Sequence, residues 1–255
     1  AMSAVTTRGL TTHDPGASYT FLGELALLLM MQAGALGYLT LGTFVAVMLS
    51  DSMSRRRAEI ARTALGLPET IDVKLLIKRV VAFTLIIQVA GAALLYPQFL
   101  DAGVANPIWA AVFHAVSAFC TAGLSIFADS FESFQDRPGI LMTMAALSSA
   151  GTLGFLVLSE SLDFVRERKR GLGFTSRVAL LVTLAYTIIC TLALLMCEPR
   201  IGALPPSERI WTALFTVVSA GTTAGFHTIP VAILAPAIIV MTTSFTRIVI
   251  VFGFL

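Results

Sequence analysis

The chain has 255 residues, of which 56% are hydrophobic and 13% charged, and its mean hydropathy is +0.87. In soluble domains about a quarter of the residues are charged, so this composition excludes a water-soluble globular protein. The net charge of +2 is too small to indicate nucleic-acid binding, and three cysteines (Cys120, Cys190 and Cys197) give neither a disulfide framework nor a metal-ligand spacing.

Apolar stretches follow one another along the chain, near residues 25–49, 80–96, 139–158, 178–196 and 231–255. Each reaches or approaches the ~20 residues that a bilayer-spanning helix needs, so the sequence predicts a multi-pass integral membrane protein. A further apolar piece, Pro107 to Phe119, is too short to span and predicts a re-entrant half-helix. Non-helical backbone at membrane depth is tolerated only where protein buries it or where it lines a water-filled path. A half-helix that ends inside the membrane therefore indicates a pore.

The basic residues are concentrated in two loops, 51–79 and 161–177. Short loops rich in Lys and Arg stay in the cytoplasm, so both loops are predicted to face that side. The stretch 80–160 then contains an outward helix, an outside region with the half-helix, and a returning helix. Basic runs that flank membrane helices favour this topological reading over a nucleic-acid site.

An internal repeat is the most informative pattern in the chain. Residues 108–124 return 102 residues later as 210–226, with ten of 17 positions identical, and residues 3–10 contain the final part a third time. All three copies read Ser-Ala-x-x-Thr-x-Gly followed by Leu or Phe. Glycine permits the unusual dihedrals that aim successive carbonyl oxygens at one axis, as binding of a dehydrated monovalent cation requires. A glycine that merely ends each helix is the alternative, and its recurrence at membrane depth favours the ion-binding reading.

A second signature occurs after two of these copies, as Ala33 to Leu39 and as Ala150 to Leu156. Its small residues allow helix backbones to approach closely. Ordinary packing and a direct gating role are both open for it.

These motifs together resemble the Trk/Ktr/HKT superfamily of potassium transporters, through SAVTTRGLT, QAGALGYLTL, FHAVSAFCTAGLSIF, SAGTLGFLVL and SAGTTAGFHTIP. The resemblance implies an all-α integral membrane fold in which pseudo-fourfold helix, pore-loop, helix repeats with re-entrant half-helices surround one pore, and no enzymatic activity. Three of the four pore loops are expected here: a partial first repeat in 1–66, a complete second in 72–165 and a third in 174–255. The fourth is absent, so we expect a fragment truncated at both ends.

Carried over by position, the resemblance assigns three selectivity-filter segments whose backbone carbonyls would bind potassium. They are Thr6, Thr7, Arg8, Gly9 and Leu10; Cys120, Thr121, Ala122, Gly123 and Leu124; and Thr222, Thr223, Ala224, Gly225 and Phe226. Glycine at the filter position goes with potassium in this superfamily. Arg247, deep in the last apolar stretch, either faces the pore or extends to the cytoplasmic interface.

The resemblance also implies gated potassium uptake at the plasma (inner) membrane, a homodimer of pore subunits, and a cytosolic nucleotide-binding regulatory subunit that the basic loops could contact. Potassium is the substrate, and no cofactor or nucleic acid is expected. A sodium or mixed sodium and potassium transporter of the same fold is one alternative, and a non-conducting structural fragment is another.

Several single residues have predicted positions around this pathway. His114 is expected to pack or hydrogen-bond behind the filter, and Arg8 to point behind it toward Asp14. Glu24 and Gln32 on the first inward helix need partners that the sequence does not identify. His13, His227, Asp129, Glu132 and Asp136 are expected on the outer side, either simply solvated or influencing cation entry.

Overall fold

A computed structural model describes residues 19–52, 73–167 and 173–229, and all regular structure within those ranges is helical. The all-α prediction is confirmed. The helices are α1 (Phe21–Ser52), α2 (Val73–Asp101), α3 (Pro107–Phe119), α4 (Pro138–Glu167), α5 (Phe174–Cys197), α6 (Pro199–Ala203) and α7 (Pro206–Gly221), with a 3-10 turn at Glu132–Phe134.

The long helices follow the apolar stretches of the sequence. Within the described part of the chain, Val80–Asp101 of α2 and Ser176–Cys197 of α5 are long and apolar enough to cross a membrane. Exposed side chains on α5, such as Leu184, Ile189 and Met196, are apolar, as contact with lipid requires. Helix α2 begins and α4 ends inside the predicted basic loops, because lysine and arginine are good helix formers and extend a helix beyond its apolar part.

The two short helices α3 and α7 begin and end in the same way. Each has proline in its first turn, Pro107 and Pro206, where the missing N–H leaves no intrahelical bond unmade. Each is followed by a residue in right-handed conformation, Cys120 and Thr222, from which the chain turns away. The predicted bounds of the half-helix, Pro107 to Phe119, are those of α3.

Helices α2, α3 and α4 pack against one another, with the short helix between the two long ones. Helix α3 presents fully buried alanines to its neighbours, which lets the backbones approach closely. The same core contains larger side chains from both long helices. Its members include Leu95, Phe99, Ala110, Ala115, Ala118, Ile140, Leu141 and Met144.

The second half-helix, α7, packs against α4 and α5, while α1 packs against α2 and α3. Leu27, Met31 and Ala35 of α1 form a separate cluster with Phe113 and Val116 of α3. Helix α3 is therefore enclosed by α1, α2 and α4.

Candidate ion pathway

The chain segments that follow α3 and α7 have nearly the same backbone conformation. We call Cys120–Leu124 the second-repeat segment and Thr222–Phe226 the third-repeat segment. Cys120 has φ −74° and ψ −2°, and Thr222 has φ −82° and ψ −1°. The next threonine has positive φ in each (Thr121 at 51°, Thr223 at 57°), as has the glycine two residues later (Gly123 at 66°, Gly225 at 78°).

Backbone hydrogen bonds repeat along with the dihedrals. The N–H of Cys120 donates to the Val116 carbonyl at 2.9 Å, and that of Thr222 to Val218 at 2.8 Å. Two residues further on, the alanine N–H returns to the serine carbonyl of the helix at 2.9 Å in both copies. The half-helix therefore ends in the same turn twice, although the two copies differ in sequence at the turn itself.

A serine on each half-helix holds the far end of the segment. The Ser117 hydroxyl donates to the Leu124 carbonyl at 2.7 Å and accepts from the Leu124 N–H at 3.1 Å. In the third repeat the Ser219 hydroxyl donates to the Phe226 carbonyl at 2.6 Å. This serine occurs in all three copies of the repeat, but the repeat alone does not indicate its role. Its constant distance of seven residues from the last segment residue is the signal that identifies it.

Exposure alternates along both segments in register. Ala122, Leu124, Ala224 and Phe226 are buried, whereas the threonine and glycine between them are partly or fully accessible. A threonine with positive φ is a strained, β-branched outlier that costs about 1–3 kcal/mol and persists only when its surroundings fix it. The two segments are therefore held in an unfavourable conformation with one side open.

His114 lies behind the second-repeat segment, as predicted, and is fully buried. Its Nδ1 is 2.8 Å from the Ala110 carbonyl and its Nε2 is 3.0 Å from the Ser125 hydroxyl, which also accepts the Phe127 N–H at 3.0 Å. Because a carbonyl only accepts, the proton sits on Nδ1, and Nε2 accepts from Ser125. The imidazole stacks on Phe127 with the ring centroids 4.5 Å apart. His114 therefore positions the chain just beyond the segment.

Beyond the segments, the two repeats are joined by the chain after residue 129. The Phe131 N–H donates to the His227 carbonyl at 3.0 Å, and the His227 N–H donates to the Ser130 hydroxyl at 3.3 Å. The Gln135 amide contacts the Thr228 carbonyl. The His227 Nε2 lies 3.7 Å from the Glu132 carboxylate, and both side chains are about a third exposed.

Helix α4 touches the end of α3 through the glycine signature. A β-carbon at Gly151 would lie 1.8 Å from the Phe119 carbonyl oxygen, so only glycine fits there. Gly154 breaks the helix, with φ 77° and ψ 167° and open space around it. The close approach predicted for this signature is observed at Gly151, and the distortion lies one turn further along.

Glu24 and Gln32, for which the sequence identified no partner, both contact the second repeat. The Trp109 indole N–H donates to the Glu24 carboxylate at 2.5 Å, and the Gln88 amide donates to the Gln32 side-chain carbonyl at 2.9 Å.

Asp129 accepts hydrogen bonds from the backbone N–H and the hydroxyl of Ser133.

Other predicted site residues lie outside the described ranges. These are Thr6, Thr7, Arg8, Gly9, Leu10, His13, Asp14 and Arg247. The structure describes two of the three predicted filter segments and gives them the same conformation, and their assignment as ion-binding segments stays a prediction.

Comparison with known proteins gives consistent matches. The family described as "TrkH: Cation transport protein" matches residues 1–249. The chain is 30% identical over 250 residues to Ktr system potassium uptake protein B of Vibrio alginolyticus (94% of this chain, 54% of that protein). It is 32% identical over 234 residues to potassium/sodium uptake protein NtpJ of Enterococcus hirae (90% of this chain, 51% of that protein).

The fold also matches a solved structure, that of the potassium transporter TrkH from Vibrio parahaemolyticus. The TM-score is 0.66 at 19% identity, over 96% of this chain and 47% of that one. This likeness supports the fold. The chain spans about half the length of the relatives it matches.

Proposed function

The chain belongs to the TrkH family of cation transport proteins, and from this we propose that it supplies part of a gated potassium uptake pathway. Membership supports a role in cation transport across a membrane. The finer proposal is that the segments Thr6–Leu10, Cys120–Leu124 and Thr222–Phe226 form three sides of a selectivity filter. A fourth side would come from a further repeat in the complete gene product.

The repeated geometry of the second-repeat and third-repeat segments is the observation that carries this proposal. Thr121 and Gly123 have positive φ on either side of Ala122, and Thr223 and Gly225 do so around Ala224. Positive φ at every second residue departs from an extended strand, in which successive carbonyls point to opposite sides, and so allows more of the carbonyls to face one side. Carbonyl oxygens arranged in this way replace the hydration shell of a monovalent cation.

The half-helices add to this electrostatically. Helices α3 and α7 both run into their segments by their carboxyl-terminal ends, where the macrodipole is negative. A cation close to these ends is stabilised, and an anion is repelled. Described residues of the two segments carry no charged side chain, so discrimination would depend on backbone oxygens and their spacing.

Glycine at position 9 favours potassium, as the resemblance to the superfamily implies. NtpJ of Enterococcus hirae is a potassium/sodium uptake protein, so sodium is the ion to test in competition with potassium. The complete reading frame that encodes this chain should restore growth at low potassium to cells that lack their own uptake systems.

Gly123→Ser is the variant that tests the filter assignment. We expect it to reduce potassium uptake and to raise competition by sodium, since the residue has φ 66° and serine is strained there. Gly103→Ser is the matched control, because Gly103 has a similar φ of 73° but lies in open space after α2. Equal growth and equal sodium competition in the two variants would contradict the assignment.

The proposed assembly is a homodimer in the plasma (inner) membrane, with a cytosolic nucleotide-binding regulatory subunit against the loops 51–79 and 161–177. The family supports this part of the proposal, together with the basic charge of the loops. Co-purification of the complete product with candidate nucleotide-binding subunits, with and without the arginines at 55–57, tests it. If a nucleotide-binding subunit co-purifies equally well without those arginines, the loops are not part of the contact.

A further inference from the structure

Three side chains from separate elements meet at the start of the second-repeat segment. Gln88 of α2 donates through its amide to the Gln32 carbonyl of α1 at 2.9 Å and approaches the Cys120 sulfur at 3.7 Å. The Cys120 thiol in turn donates to the same Gln32 oxygen at 3.7 Å. Gln88 and Cys120 are each only 4% exposed. We call this set the Gln88 network.

Burial of a glutamine amide within a membrane helix is unfavourable unless the amide is hydrogen-bonded. Membrane helices associate through van der Waals contact and interhelical hydrogen bonds, so the bond from Gln88 to Gln32 is explained by the packing of α1 against α2. The approach of Gln88 to Cys120 is not explained in this way. Cys120 is the one member of the network that does not belong to a long helix, and it directly follows α3.

In the third-repeat segment, the residue at the position of Cys120 makes a side-chain hydrogen bond that Cys120 lacks. Thr222, at the same position, turns its hydroxyl back to its own helix and donates to the Val218 carbonyl at 2.8 Å. That bond ties the first residue of the segment to α7 without help from another helix. A thiol is a weak donor, and the Cys120 thiol bonds instead to the two glutamines.

We propose that Gln88 is a positioning residue that replaces this missing hydroxyl bond, and that it thereby sets the ion discrimination of the second-repeat segment. The proposal rests on the proposed function of that segment as a filter. Gln88 holds Cys120 and Gln32 together, so the strained turn at Thr121 is fixed by helices of two repeats. Without Gln88, the turn relaxes and its carbonyls lose their spacing.

The test uses the complete reading frame with Cys190 and Cys197 replaced by alanine. Gln88→Met removes the amide but keeps the shape of the side chain, and Gln98→Met is the control on the same helix, since the Gln98 amide bonds Leu94 and Thr143 instead. We expect Gln88→Met to lower discrimination of potassium over sodium by about three- to tenfold, as for loss of one interhelical hydrogen bond, and Gln98→Met to leave it unchanged.

Rescue separates positioning from general stability. Cys120→Thr introduces the residue of the third repeat, whose hydroxyl reaches its own helix. In that background Gln88→Met should change discrimination by less than about twofold, because the turn no longer depends on the network. Unchanged discrimination in Gln88→Met alone, or an equal loss with and without Cys120→Thr, would overturn the proposal.

Labelling of Cys120 by a small membrane-permeant thiol reagent gives a readout that does not require transport. Cys120 should be protected in the parent and in Gln98→Met, and labelled in Gln88→Met. Equal protection of Cys120 from labelling in all three proteins would contradict the Gln88 network. Protection that depends on Gln88 in a protein that takes up no potassium would instead refute the proposed function and leave the network in place.

Discussion

Gly151 of α4 lies against the carbonyl oxygen of Phe119, so closely that a β-carbon at position 151 would stand 1.8 Å from that oxygen. Phe119 is the last residue of α3, and the second-repeat segment begins at the next residue. The long helix therefore contacts the backbone at the point where the half-helix ends. Any displacement of α4 at this level also displaces the start of the segment.

Among substitutions that add a single methyl group in the described part of the second repeat, we expect Gly151→Ala to reduce stability and uptake most. The added carbon forces two backbones apart, and overpacking of this kind costs about 1–3 kcal/mol or more. We expect a lower thermal midpoint for the complete protein in detergent and loss of potassium uptake. Gly202→Ala, at a helical glycine with open space, should change neither property. Normal uptake by Gly151→Ala would show that the contact is not required.

Ser117→Ala removes the hydroxyl that both donates to and accepts from Leu124. Two buried backbone groups lose their partner, which costs about 1–3 kcal/mol each where no water replaces the hydroxyl. We expect weaker discrimination of potassium over sodium in competition uptake, and the same direction for Ser219→Ala. Ser148→Ala is the control, since its hydroxyl only returns to the Met144 carbonyl within α4. The serine has no role in the filter if all three variants discriminate like the parent.

Gly154→Ala tests the break in α4. The conformation of Gly154, with φ 77° and ψ 167°, is open almost only to glycine, and alanine there costs about 1–3 kcal/mol. The variant should favour a continuous helix and lower the maximal rate of uptake, with discrimination unchanged because Gly151, not Gly154, lies against the end of α3. Gly37→Ala, at the matching position of α1, should alter the rate little. A parental rate in Gly154→Ala would mean that the break is not used in transport.

Glu132→Gln tests the pair formed with His227. The His227 Nε2 lies 3.7 Å from the Glu132 carboxylate, and a partly exposed pair of this kind contributes at most about 1 kcal/mol. We expect Glu132→Gln to lower the thermal midpoint only slightly, because the backbone bond between Phe131 and His227 is retained. A large loss of stability in Glu132→Gln would show that the side-chain pair, and not the backbone bond, holds the two repeats together here.

Much of the architecture was predictable because its signals are local. The apolar stretches specify the long helices, and a proline start with a short apolar length specifies the half-helix at Pro107–Phe119. The recurrence of Ser-Ala-x-x-Thr-x-Gly predicted that two distant segments share a conformation, and they do. These features depend on residues within a turn or two of one another, so the sequence is sufficient to state them.

Tertiary structure alone decided how these pieces support one another. The same small-residue signature is continuous helix at Gly37 and a break at Gly154, a difference that the signature itself does not predict. The contact of Gln88 with Gln32 joins residues 56 apart, and that of His227 with Ser130 joins residues 97 apart. Such pairs depend on how whole helices pack, and no local pattern records that. The sequence was enough to identify the segments that share a conformation, and packing decided what holds them in place.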